Sequence, residues 1–340
     1  MGKLVSHRLC PETGQWRGAI SILAILGCMM LGPFLPVVAL GLLWSGHVMS
    51  GSVVVCVICF TLCAGSHSEA WCRFYLRAAG WFRKGVWLHF DPDAVEQMRK
   101  HRSMWCMHPH GTCIGFGFSL NGAVRLRAND DSSYLPREFD DTMDEERKRT
   151  CDGVMAPVLF RLPLLRQALL GFGCATPATR TGMFSLFRNG IDFGILPGGM
   201  EEVALYSHGK DRIYIKKRAG FIKYALQHGY NIQPAYTFGE SDIYEALRHP
   251  LYRALCLFTL KVGGFVIPIF WGPRWWCHVL PRDDVALHTV VSHPIKLPKI
   301  ENPSNDDVAK WHGKYINHVK AIYDTHKATF GYGDRELDIQ

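Results

Sequence analysis

Two kinds of hydrophobic pattern divide the chain. Residues 18 to 43 carry no charge, and a second uncharged stretch runs from His47 to Gly65 around the apolar centre Val53 to Phe60. The first is long enough to cross a bilayer, although Gly32-Pro33 and Pro36 interrupt it. Lys3, Arg8 and Arg17 precede the pair, Arg73, Arg77, Arg83 and Lys84 follow it, and the link from Trp44 to Ser52 has neither Lys nor Arg. By the positive-inside rule both ends then lie in the cytosol. The pattern predicts that residues 1–66 form a hydrophobic hairpin anchor; a cleaved signal peptide fits less well, because the apolar region outruns an h-region and continues into a second segment. From Glu69 to Lys100 the aromatics Trp71, Phe74, Tyr75, Trp81, Phe82 and Trp87 stand beside basic residues, which predicts a segment lying at the membrane interface.

Beyond residue 100 the periods of helix and strand alternate with no long polar linker, which predicts one α/β domain over 67–340. Asp91-Pro92-Asp93 starts a short helix, Met104 to Met107 reads as a strand, and Thr112 to Arg125 as the helix after it. The charge-dense run 128–152 reads as a solvated loop. Helices are expected over Pro157–Leu170, Thr181–Arg188, Arg218–His228 and Ser241–Leu260, and strands over Gly173–Pro177, Ile191–Leu196, Ile232–Phe238, Gly264–Trp271 and Leu287–Ile295. Val262 to Phe270 is read as a buried core strand with Trp271, Trp275 and Trp276 at its rim. Ser304 and Asp307 make a capping box for a last helix, whose Val308, Trp311, Tyr315, Val319 and Ile322 form an apolar stripe expected in the core. The fold class is therefore α/β, a mixed and mostly parallel sheet flanked by helices.

With 340 residues, 48% of them hydrophobic, the chain has enough apolar surface for a large core. Its 12 cysteines show no repeated metal spacing, so most read as small buried hydrophobes in a reducing compartment. Cys106, His108, His110 and Cys113 would crowd four ligands into eight residues around a proline, so no metal site is expected. The net charge of +8 is dispersed, without a basic run interleaved with aromatics. That argues against nucleic acid and for an anionic membrane surface or an anionic cofactor.

The chemistry concentrates at His108-Pro109-His110-Gly111. Pro109 biases His108 toward extended backbone, which would turn both rings to one side, and Gly111 allows a sharp turn into the next helix. The histidines thus sit at a strand-to-helix turn, where open α/β sheets place their sites. Two structural histidines are the plain alternative. A neutral imidazole can take a proton from an alcohol as its oxygen attacks a carbonyl, with a carboxylate fixing the tautomer. Glu202, after Gly198-Gly199 at a second such turn, can supply that carboxylate; Glu201 is the alternative, and both glutamates could instead cap a helix. The paired glycines offer backbone N–H groups for a carbonyl oxygen or a phosphate. No Gly-x-Ser-x-Gly elbow, phosphate loop or dinucleotide fingerprint occurs, which favours direct attack without a covalent enzyme intermediate. A non-catalytic membrane lipid-binding scaffold is the alternative from another class.

His108 to Gly111, Gly198-Gly199-Met200-Glu201-Glu202, Arg218 to Lys223 and Phe238-Gly239-Glu240, together with Phe160 to Arg166, Thr289 to Ile295 and Thr325 to Gly331, closely resemble the type-2 diacylglycerol acyltransferase family. The resemblance runs from about Trp71 to the end. It implies a glycerolipid-acyltransferase-like fold, transfer of an acyl group from acyl-CoA to the free hydroxyl of diacylglycerol, and no cofactor beyond acyl-CoA as co-substrate. It also implies anchoring in the endoplasmic reticulum membrane with a cytosolic active site, and the lipid droplet surface as a second location. Carried onto this chain, His108 and His110 are the histidines of the active-site motif and Glu202 the glutamate of the Gly-Gly-x-x-Glu motif, with His110 the expected base oriented by Glu202 and His108 shaping the site or sharing the role of base. Pro109, Gly111, Gly198 and Gly199 shape the substrate site. Arg218 and Lys223, and with them Arg161 and Arg180, are the candidates to meet the CoA phosphates, a surface-charge role being the alternative for Lys223. Gly-Gly-Met-Glu-Glu stands where phosphate-acceptor relatives carry Glu-Gly-Thr-Arg, which favours a neutral acceptor. Ser292-His293 departs from the family's usual Gly and the acidic stretch is long, so monoacylglycerol and long-chain alcohols stay open as acceptors. A homodimer stays open as an assembly.

Overall fold

The computed structural model describes residues 4–9, 14–63, 65–91, 94, 97, 101–122 and 151–340. The charge-dense run up to residue 150, most of the short helix begun by Asp91-Pro92-Asp93, and the end of the helix expected to reach Arg125 lie outside the described residues. The amino-terminal part holds strand β1 (Val5–Leu9) and helices α1 (Gln15–Leu31), α2 (Leu35–Trp44), α3 (Val48–Cys63) and α4 (Glu69–Leu76). Then come β2 (Val86–Phe90), β3 (Ser103–His108), α5 (Phe116–Asn121), β4 (Asp152–Met155), α6 (Leu165–Gly171), β5 (Ala175–Pro177), α7 (Arg180–Arg188) and β6 (Phe193–Ile195). The remainder is α8 (Gly199–Leu205), β7 (Arg212–Ile213), α9 (Gly220–His228), β8 (Asn231–Phe238), β9 (Glu245–Ala246), α10 (Pro250–Gly263), β10 (Phe270–Trp271), β11 (Leu287–Val291), α11 (Asn305–His326) and β12 (Asp338–Ile339).

Eight strands form one sheet in the order β1-β2-β11-β8-β3-β6-β4-β5. The run from β8 to β5 is parallel, β2 and β11 are parallel to each other, and the β1–β2 and β11–β8 pairs are antiparallel. The mixed, mostly parallel sheet is as expected. Its two central strands, β3 and β8, are buried along their whole length, the burial on both faces that parallel strands require. Alternation divides the β3 side chains: Trp105 and Met107 enter a core shared with α1, α4 and α5, and Met104 and Cys106 enter a core shared with α9 and α11. The capping box at Ser304 and Asp307 is formed, and Tyr315, Val319 and Ile322 of the α11 stripe are buried on the second face.

Several expectations change. The helical run Gln15–Trp44 is long and apolar enough to cross a membrane, yet its first half belongs to the folded domain. Ile22, Ile25 and Leu26 are buried in the core, and Ser21 donates a hydrogen bond of 2.6 Å to the Phe74 carbonyl. Since β1 also pairs with β2, residues before 66 contribute a strand and a helix to the domain as well as the exposed arm. That arm is α2 and α3, which pack on each other with Gly51 seated against Leu43 and present Trp44 and Met49 outward at 95% and 85% exposure. The aromatics expected at a membrane interface instead hold the domain together: Tyr75, Trp81 and Phe82 are buried, and the indoles of Trp71 and Trp81 donate to the carbonyls of Ala168 and Pro281. The helix expected over Pro157–Leu170 is split into a 3-10 turn, Pro157–Arg161, and α6; Pro163 cannot donate within a continuous helix. Val262 to Phe270 is no buried strand, because α10 runs through Gly263, Ile267 and Ile269 are exposed, and only Phe270–Trp271 pairs, with β9.

The close seat of α1 gives a test. A Cβ on Gly18 would lie 2.5 Å from the Trp81 backbone nitrogen, whereas Gly27 on the same helix has no atom within 4 Å of such a carbon. Both substitutions to leucine gain helix propensity. Gly18→Leu is expected to destabilise the domain by about 1–3 kcal/mol through overpacking and Gly27→Leu to stabilise it slightly, by up to about 1 kcal/mol, read by thermal unfolding in detergent.

Candidate functional site

The site grows from the carboxyl end of β3. Residues of the Met104 and Cys106 parity face α11, so His108, the last of the strand, points its ring into the second core. It is fully buried and both ring nitrogens are engaged: Nδ1 lies 3.1 Å from Glu202 Oε1 and Nε2 3.0 Å from the Tyr315 hydroxyl. A carboxylate can only accept, so Nδ1 carries the proton and Nε2 accepts from Tyr315. Burial holds the Tyr315 phenol well above its ordinary pKa, so it stays protonated and able to donate. The His108–Pro109 peptide bond is cis.

Glu202 is the centre of this arrangement. Besides the His108 ring it accepts the backbone N–H of Tyr214 at 3.0 Å on Oε1 and the backbone N–H of His110 at 2.7 Å on Oε2. The expected pairing is thus corrected: the carboxylate meets the ring of His108 and the main chain, not the ring, of His110. The His110 ring leaves Nδ1 buried without a hydrogen-bond partner. Burial lowers the pKa of His110 below its ordinary value against the opposing pull of Glu202, which favours the neutral imidazole. The Thr112 hydroxyl, two residues on, is likewise buried and unpartnered.

Glycines make the convergence possible. Gly198 sits so close to Glu202 that a Cβ there would fall 1.9 Å from Oε1. Gly111 has φ +75°, a region L side chains avoid, and a Cβ on it would lie 2.7 Å from Oε1 of Glu240. The Gly199 N–H, expected to be free for a carbonyl or phosphate, donates instead to the Leu196 carbonyl at 3.0 Å and closes the turn. Glu201 does not cap the helix in isolation; it pairs with Arg218.

Arg218 is therefore the one expected phosphate ligand held beside the glutamate turn. Arg161 and Lys223 are exposed, and Arg180 is exposed with its guanidinium over the Phe184 ring at 5.4 Å. Among the described residues no hydrogen bond or ion pair joins these three to His108, His110 or Glu202. Cys106 and Cys113 diverge from the histidines: the first lies in the α11-side core and the second packs against the other core, 3.6 Å from the Met29 sulfur. Burial pushes both thiols up.

Sequence reasoning missed two groups. Tyr315 was legible only as part of an apolar stripe, although a hydroxyl inside such a stripe signals a buried polar partner. Glu240 carried no role. Its carboxyl is completely buried and accepts the backbone N–H groups of Phe116 at 2.9 Å and Gly117 at 2.8 Å, fastening the far end of the histidine turn. Burial raises its pKa to about 8, the two N–H groups opposing the shift.

The family model described as diacylglycerol acyltransferase matches residues 65–340. Diacylglycerol O-acyltransferase 2 of Xenopus tropicalis is 32% identical over 77% of this chain and 73% of that protein. Human diacylglycerol O-acyltransferase 2-like protein 6 is 26% identical over 95% of this chain and 91% of that one. Acyl-CoA wax alcohol acyltransferase 2 of Mus musculus is 32% identical over 52% of this chain and 55% of that one.

The second carboxylate has a pH signature. The native state keeps the Glu240 proton up to about 8, whereas an unfolded glutamate loses it near 4.5. Its contribution to stability is complete below the unfolded value and declines as pH rises through that window. Glu240→Gln should flatten this part of the melting temperature against pH. It should also cost about 1–3 kcal/mol, because its amide nitrogen must face one of the two N–H groups.

Proposed function

Because the chain belongs to the diacylglycerol acyltransferase family, we propose that it is an acyl-CoA-dependent O-acyltransferase that esterifies the free hydroxyl of diacylglycerol to give triacylglycerol. The observation that carries the mechanism is the contrast between the two rings. His108 has both nitrogens committed, and His110 has a buried nitrogen with none. His110 is the general base. It takes the hydroxyl proton as the acceptor oxygen attacks the thioester carbonyl; the tetrahedral intermediate then expels the CoA thiolate, which recovers that proton from the imidazolium, so no covalent enzyme species forms. Glu202 acts as a positioning residue, fixing the His110 main chain directly and the wall of the site through His108 and Tyr315. Pro109, Gly111, Gly198 and Gly199 give the turn its shape. Arg218, and beyond it Arg161, Arg180 and Lys223, are the cations offered to the CoA phosphates, Arg218 by exchanging Glu201 for phosphate.

The α2–α3 arm is the membrane anchor. Its helices of 10 and 16 residues reach about 15 and 24 Å, short of a hydrocarbon core of about 30 Å. The pair therefore enters from one leaflet and returns, with both ends on the cytosolic side of the endoplasmic reticulum and the same insertion open to a lipid droplet monolayer. A long-chain alcohol as acceptor is the second reading, favoured by the mouse wax alcohol acyltransferase at 32% identity.

Loss of the base is expected to cost about 10²–10⁴ in turnover, so His110→Ala should retain its melting temperature and lose acyl transfer by that factor. Turnover near the native rate would remove His110 from the role. The native rate should fall on the acid side with its midpoint below the ordinary 6.5, since burial resists protonation of the ring. Labelled oleoyl-CoA offered to microsomes with diacylglycerol, monoacylglycerol and a fatty alcohol in competition should yield mainly triacylglycerol; a wax ester as main product would select the second reading.

A further inference from the structure

A surface remote in sequence from the amino-terminal arm has the composition of a membrane contact. From Ala246 to Arg282 there is no Asp or Glu, although the chain has 30 of them, and Arg248, Arg253, Lys261, Arg274 and Arg282 are all basic. Within this stretch α10 buries only Cys256, which joins Val203 of α8 and Val266 in a small separate core. Tyr252 and Leu260 lie half-buried against that core, and the opposite face of the helix is turned outward: Leu251, Phe258 and Val262 are 75%, 62% and 72% exposed, and Trp275 in the following loop is 84% exposed. This surface is well built. The Tyr252 hydroxyl donates to the Ile267 carbonyl and accepts the Ile269 N–H, each at 2.7 Å, and β9 pairs with β10 at its border.

The geometry points to α10 and the loop through Val279 as a second membrane-contact face, lying in the head-group region of a phospholipid bilayer. Large exposed apolar surface rimmed by polar groups marks an interaction site. Its chemistry selects lipid over a second copy of the chain. Tryptophans beside arginine and lysine suit the boundary between acyl chains and anionic head groups. A two-fold contact between copies would set the face against itself, and among the described residues Arg253 and Lys261 have no carboxylate within ion-pair distance on their own chain to offset that repulsion. Arg248, Arg274 and Arg282 are held at the border by Glu245, Asp283 and Asp284. The face stands on α8, the helix that carries Glu202, so it also brings lipid to within one helix layer of the histidine turn. It does not depend on the reaction assigned to that turn.

Photo-crosslinking of the full chain tests it. p-Benzoylphenylalanine is placed at Phe258 or at Trp275, with exposed Lys320 of α11 as the control, and the protein is reconstituted in phosphatidylcholine–phosphatidylserine vesicles containing tritiated phosphatidylcholine. Both test positions project outward, so melting temperatures should match the native chain, and either position alone decides. The expected result is tritium adduct at 258 and 275 in several-fold excess over 320. Adduct at the control level, or crosslinks mainly between copies of the chain, would overturn the proposal.

Discussion

One carboxylate holds the carboxyl edge of the central strand together with the turn that follows it. Glu202 is on α8, yet its two oxygens collect the His108 ring, the His110 main chain and the Tyr214 main chain. The first two come from the end of the central strand, and the third from the segment that leads toward α9. Removing such a group strands the buried His108 ring donor, at a cost of about 1–3 kcal/mol, and leaves two part-buried main-chain N–H groups without their acceptor. Gly198 is the concession made to it, because only a residue without a side chain leaves room for the carboxylate to turn back. The same bond network reaches α11 through the Tyr315 hydroxyl, so four separate parts of the chain are set by one side chain.

The histidine turn is secured from both ends by acidic groups of different parentage. Glu202 takes the N–H at its start, and Glu240, from the end of the neighbouring strand β8, takes the two N–H groups where α5 begins. Between them the main chain has little freedom, and the His110 imidazole is the group left with an unsatisfied nitrogen. This division of labour explains why the two histidines of one short motif are not equivalent. One ring is tied at both nitrogens, and the other keeps a buried nitrogen without a hydrogen-bond partner.

Much of the sheet was legible in the sequence. The strands at Met104–Met107, Ile191–Leu196 and Ile232–Phe238 are real: the first is a continuous apolar run, and the other two are short apolar-rich stretches of strand length that end at Pro197 and Gly239. The approach of Glu202 to the histidines also followed from two strand-to-helix turns at one sheet edge. Which ring the carboxylate would meet did not, since that depends on the local path around Pro109 and on Tyr315, a residue 207 positions along the chain from His108. The interfacial aromatics were misread for a related reason. Composition places Trp71 and Trp81 equally well at a lipid boundary or in a core, and only the carbonyls of Ala168 and Pro281 decide between them. Likewise α1 has the hydropathy of a membrane span and the packing of a core helix.

That last feature bears on how the molecule sits. Helix α1 emerges from the core and passes, through a single 3-10 turn over Gly32–Phe34, into α2. On this side of the arm, helix passes to helix with no extended linker between the globular body and its greasy arm. Whatever grips the arm also sets the attitude of the body, its height and its heading, much as a keel fixes the trim of a hull.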